Sequence, residues 1–68
     1  MTTTLGEDLP KEMARVRDEL LPLYDAIPTG VFAATLMRVT LDEAAKAMAE
    51  GDLPAMIAAY QELKGFEE

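Results

Sequence analysis

Five residue types are missing from this 68-residue chain: Cys, His, Ser, Asn and Trp. No disulfide can form, and no thiolate or imidazole is present to ligate a metal. The serine, cysteine and histidine routes to nucleophilic catalysis are closed as well. Aromatics are scarce, two Phe and two Tyr, and 6 bases face 13 acids for a formal net charge of −7. That balance excludes the basic stripe of a nucleic-acid binder and opposes docking on an anionic membrane surface. The longest mostly apolar stretch, residues 31–41, is interrupted by Thr35, Arg38 and Thr40. It is far short of the roughly 20 residues that a membrane span needs. Met1 to Gly6 holds no basic segment leading into an apolar run, so no secretory leader is read. The expectation is a cytoplasmic protein with no metal, no cofactor, no small-molecule ligand, no direct nucleic-acid contact and no membrane partner. Heavy use of Ala without Asn or Ser fits the coding bias of a GC-rich bacterial or phage genome.

What is present is apolar. Half of the residues are hydrophobic and 28% are charged, which is too apolar for a disordered tail. A chain of this size buries only about 60% of the surface it exposes when unfolded. Ordering it costs roughly 1.5 kcal/mol per residue, so its own core offsets that cost narrowly. A partner subunit would help to close the gap.

The pattern is helical throughout and predicts an all-α domain of three helices over residues 9–66. Residues 1–8 read as a flexible N-terminal arm and 67–68 as an acidic end. The first helix, about 9–26, takes Asp8 as its N-cap and Pro10 in its first turn. Leu9, Met13, Val16, Leu20, Leu23, Tyr24 and Ile27 draw one apolar stripe at helical spacing. Pro22 predicts a kink near Asp18–Pro22, with the stripe continuing in phase beyond it; a split into two helices there is the alternative. Ile27-Pro28-Thr29-Gly30 is the clearest break. The second helix, 31–50, is apolar nearly all round in its first half. Thr40-Leu41-Asp42-Glu43 matches a capping box, so this helix either restarts at Thr40 or continues with Thr40 turned inward. Its stripe is Met37, Leu41, Ala44 and Met48. Gly51 ends it and Asp52 caps the third helix, 53–64, making helices two and three an antiparallel hairpin. The third helix places Leu53, Met56, Ile57, Tyr60 and Leu63 on one side. Gly65 then predicts a Schellman-like closure with Phe66 folded onto Tyr60.

On Ala44, Met48, Gly51-Asp52, Leu53 and Tyr60, this hairpin is similar to one unit of a tetratricopeptide repeat. The similarity covers about a third of the chain. It departs from that family at Met56 and Leu63, where small residues are the rule. A second copy is lacking, and solenoids need about three repeats to bury a continuous core. The likeness is that of any tight helical hairpin.

No catalytic residue is read from the chain. Its acids lack the alternate spacing and closing Glu of an EF-hand loop. Three short helices do not enclose the cleft that a pair of catalytic carboxylates needs. Met13, Met37, Met48 and Met56 fall on core stripes. Two features stay unassigned. One is the apolar surplus of helix two with Arg38 inside it, a candidate interface of Tyr24, Val31, Phe32, Leu36, Arg38 and Val39. Arg38 snorkels to solvent, pairs with an acid of helix one, or anchors a subunit or partner interface. The other is a candidate acidic patch of Asp18, Glu19 and Asp25. The first predicts a non-enzymatic protein–protein interaction module that self-associates, with a dimer favoured. The second supports an alternative, a phage-type acidic inhibitor occupying a partner protein's basic nucleic-acid-binding surface.

Overall fold

The structure, a computed structural model, describes residues 4–66. They run as α1 (Leu5–Arg15), a π-helical turn (Val16–Leu20), α2 (Leu21–Asp25), a 3-10 turn (Pro28–Gly30), α3 (Val31–Glu50) and α4 (Leu53–Gly65). The predicted three-helix, all-α domain is present. Its first helix is the α1–π–α2 segment, and α3 and α4 pack together as the hairpin.

The first helix begins earlier than the Asp8 cap predicts. Thr4 is the N-cap, and its hydroxyl accepts from the Glu7 amide at 3.2 Å. Glu7 and Asp8 then lie in the first turn, where the positive end of the helix dipole favours acids. Residues 5–8 of the expected arm are therefore helical, while 1–3 and 67–68 lie outside the described residues. Pro10 falls inside α1 rather than at its start and forgoes one helical bond there.

Pro22 has no N–H to return to the Asp18 carbonyl, and its ring crowds that carbonyl in a regular helix. The chain answers by widening the preceding turn: the Leu21 amide bonds the Val16 carbonyl, an i→i+5 spacing. A π-turn takes up one extra residue and rotates the rest of the helix by roughly 100°. The stripe therefore does not continue in phase. Leu9, Val16 and Leu20 are buried and Met13 is half-buried, but beyond the π-turn Leu21 and Tyr24 pack on the core. Leu23 and Ile27, expected on the core face, are exposed.

Helix α3 is continuous through Thr40. That side chain is turned inward and 4% exposed. Its hydroxyl donates to the Leu36 carbonyl at 2.9 Å, with Glu62 Oε2 of α4 3.3 Å away. The capping box at Thr40–Glu43 is unused. A cap needs non-helical backbone, and burial of Ala34 and Met37 holds the preceding turns helical. The seam between α3 and α4 is built from Met37, Ala44 and Ala47 against Met56, Ala59 and Leu63. The alanines leave little between the two helices, so Ala47 rather than Met48 is buried there. Met48, Leu53 and Ile57, expected on core stripes, are all exposed.

The hairpin turn agrees with its local signals. Gly51 takes a left-handed φ of 67°, which glycine adopts without a Cβ penalty. The Asp52 amide reaches the Ala47 carbonyl at 3.0 Å and the Gly51 amide reaches the Met48 carbonyl at 3.2 Å, a Schellman pair. The Asp52 carboxylate then accepts from the Ala55 amide at 3.3 Å.

The other end of α4 does not close as predicted. Gly65 has no left-handed φ, and Phe66 leaves the helix in extended geometry with its ring against the core. The closing group comes from α1. Arg15 Nη2 donates to the Leu63 carbonyl at 2.9 Å and to the Phe66 carbonyl at 3.1 Å, while Nε donates to Glu12 at 3.2 Å. A guanidinium on the last carbonyls of a helix satisfies orphan acceptors and complements the negative helix end. Arg15→Met keeps the aliphatic stem and removes these bonds. It is expected to lower stability by about 1–2 kcal/mol in urea unfolding, with the loss concentrated in faster amide exchange at the end of α4.

Candidate interaction surface

Among the described residues, six hydrophobic side chains larger than alanine are buried: Leu9, Val16, Leu20, Met37, Met56 and Leu63. Nine large hydrophobic side chains are exposed, and six of them, Leu23, Ile27, Val31, Phe32, Leu36 and Val39, fall within residues 23–39. Single exposed hydrophobics are ordinary, but a local group that matches the fold's own large core residues in number is not.

Local structure explains why they gather. The π-turn moves Leu23 and Ile27 off the core face. Together with Tyr24 and Ala26 they line an apolar groove of about 410 Å³. The 3-10 turn then presses the backbone of buried Gly30 against Tyr24, so closely that an added Cβ would overlap the Tyr24 carbonyl. This close approach sets the first turn of α3 beside the end of α2. Phe32, Leu36 and Val39 recur at spacings of four and three along α3, with Leu36 bordering Thr40 of the seam and Glu62, Gly65 and Phe66 at the end of α4. Phe32 projects furthest, 75% exposed.

Of the residues expected here, Val31, Phe32, Leu36 and Val39 are exposed and Tyr24 is half-buried at the groove. Arg38 is half-exposed and pairs with Asp25 at the end of α2, which is the pairing with an acid of helix one. Leu23 and Ile27 join the surface although sequence spacing puts them on the core stripe. The only sequence signal for them is Pro22, which marks a disturbed helix.

The three acids of the expected patch are not equivalent. Asp18 is bonded to its neighbour Arg17 at 2.9 Å. That hydrogen bond, helped by the charge of Arg17, holds the Asp18 carboxyl below its ordinary pKa. The Arg17 guanidinium is raised in turn, by the bond to Asp18 and then by its charge. Both side chains are exposed, so the pair contributes little to stability. Asp25 is engaged by Arg38, and Glu19 is exposed. Among the described residues, no three metal-ligating side chains converge, and no helix is long and apolar enough to cross a membrane.

Compared with protein-family models, curated proteins and solved structures, the chain matches none.

Proposed function

We propose that this chain is a non-enzymatic protein–protein interaction module that self-associates through the face formed by α2 and the first half of α3. One observation carries the reading: more large hydrophobic side chains lie exposed than buried among the described residues, and most of the exposed ones fall within residues 23–39. Covering them supplies apolar burial that the small core lacks, at about 25 cal/mol per Å². The acidic-inhibitor alternative draws on the net charge of −7. It gains nothing local from Asp18 and Asp25, whose charges are met by Arg17 and Arg38.

Sedimentation velocity over a micromolar concentration series tests the proposal. Wild type is expected to shift from monomer to dimer with rising concentration. Phe32→Glu, at the most exposed of these side chains, is expected to stay monomeric with an unchanged far-UV helical signal. A wild-type chain that remains monomeric at high micromolar concentration overturns the reading.

A further inference from the structure

We infer that the open side of the α3–α4 hairpin docks a helix of a partner protein, apolar over one half and charged in the order base, acid, base over the other. Phe32, Leu36, Val39, Glu43, Lys46 and Glu50 recur at spacings of four, three, four, three and four, and all six are exposed. With that spacing one helix presents a seam to another, and it runs nearly the length of α3, about 27 Å. The fold itself leaves this seam unused, because α3 buries Met37, Thr40, Ala44 and Ala47 instead. Leu36 and the three charged residues border a furrow whose other wall is α4. Its three hollows, about 350, 150 and 280 Å³, are continuous: the first and second share Glu62, and the second and third share Glu43 and Ala55. Ala55, Ala58 and Ala59 line the middle of the furrow, and side chains that small let a further helix approach closely.

Charge names the occupant. Glu43, Lys46 and Glu50 make no ion pair among the described residues, although spacings of three and four on a helix allow one. An opposing helix answers them with base, acid and base, and answers Phe32, Leu36 and Val39 with apolar side chains. A second copy of α3 does not fit the full seam. Laid antiparallel, it sets Glu50 on Phe32, Lys46 on Leu36 and Glu43 on Val39; laid parallel, it sets each charge on its own kind. The inference thus goes beyond self-association. The two occupants compete for Phe32, Leu36 and Val39, and only the partner helix uses the charged half.

The probes are two fluorescent helix-forming peptides of about 20 residues. They carry Leu, Leu, Leu, Lys, Glu and Lys at the six seam spacings, one in each chain direction. Each has a counterpart with Glu, Lys and Glu at the charged positions, the net charges being made equal by residues on the outer face. By fluorescence anisotropy, one direction is expected to bind the wild-type chain at least tenfold tighter than its counterpart. The triple variant Glu43→Lys, Lys46→Glu, Glu50→Lys, at three exposed positions, is expected to reverse that preference. Glu19→Lys, exposed on the π-helical turn, is expected to leave it unchanged. Absence of binding in both directions overturns the inference, and so does equal binding of a peptide and its counterpart to wild type. A folded triple variant that keeps the wild-type preference overturns it as well. Sedimentation velocity without peptide keeps the two readings apart. A chain that stays monomeric yet discriminates the peptides removes self-association and keeps this inference; a dimer that binds neither peptide does the reverse.

Discussion

Gly30→Ala is expected to lower the melting temperature by about 10–20 °C. The backbone angles are not the reason. Gly30 has φ −90° and ψ 0°, outside the left-handed region that favours glycine. The obstacle is space: a Cβ would overlap the Tyr24 carbonyl oxygen and lie 3.1 Å from both its carbon and Cα. Those are backbone atoms of α2 and cannot swing aside as a side chain can. The 3-10 turn or the start of α3 must move, at a cost of about 2–3 kcal/mol for overpacking at a tight contact. A chain of this size has about 3–10 kcal/mol of total stability, so a large fraction is lost. Thermal unfolding by circular dichroism at fixed low concentration reads the effect directly. A melting temperature within a few degrees of wild type would show that the Gly30–Tyr24 approach does not hold α2 against α3.

The three helices and the Gly51-Asp52 turn are legible because each rests on local signals: apolar spacing, an αL glycine and an aspartate cap. The Asp8 cap misplaces the start of the first helix, although Thr4-Leu5-Gly6-Glu7 has the capping-box spacing and Thr4 is the cap. Thr40–Glu43 has the same spacing and no cap. The two differ only in context. At Thr4 the backbone is extended, with φ −95° and ψ 152°, and the hydroxyl is free to take an amide. At Thr40 the buried turns on either side keep the helix running, and the hydroxyl bonds back to Leu36.

The illegible remainder depends on long-range contacts or on a choice between two ways of accommodating proline. Arg15 finds its acceptors 48 and 51 residues away, and no spacing rule reaches that far. Pro22 announces a disturbed helix, but a kink and a π-turn remove the same clash. Only the π-turn changes the phase of the later residues. That change converts Leu23 and Ile27 from core residues into the walls of the apolar groove. The candidate interface is therefore half legible. Its α3 side comes from an apolar excess that α3 cannot bury, and its α2 side comes from a backbone adjustment that composition does not reveal.

A matched pair of leucines on α4 measures how the helix is rotated. Leu53 and Leu63 lie on one predicted stripe, yet Leu63 is 0% exposed and Leu53 is 60% exposed. Leu63→Ala opens a cavity in the core cluster that holds Val16, Met37 and Ala59. It is expected to cost about 3–4 kcal/mol, the lost transfer energy plus that of a cavity which so small a core closes poorly. Against the stability of a 68-residue domain, that loss leaves a measurable unfolded population at room temperature. Leu53→Ala, the same chemical change ten residues earlier, is expected within about 0.5 kcal/mol of wild type, because it uncovers no core and alanine is the better helix former. Urea unfolding of both variants gives the comparison. Equal losses would mean that Leu53 is covered in solution, which the isolated fold does not provide. In the proposed dimer Leu53 lies outside the paired face, so Leu53→Ala should also leave the monomer–dimer equilibrium unchanged. A weaker dimer in that variant would move the contact from the α2–α3 face to α4.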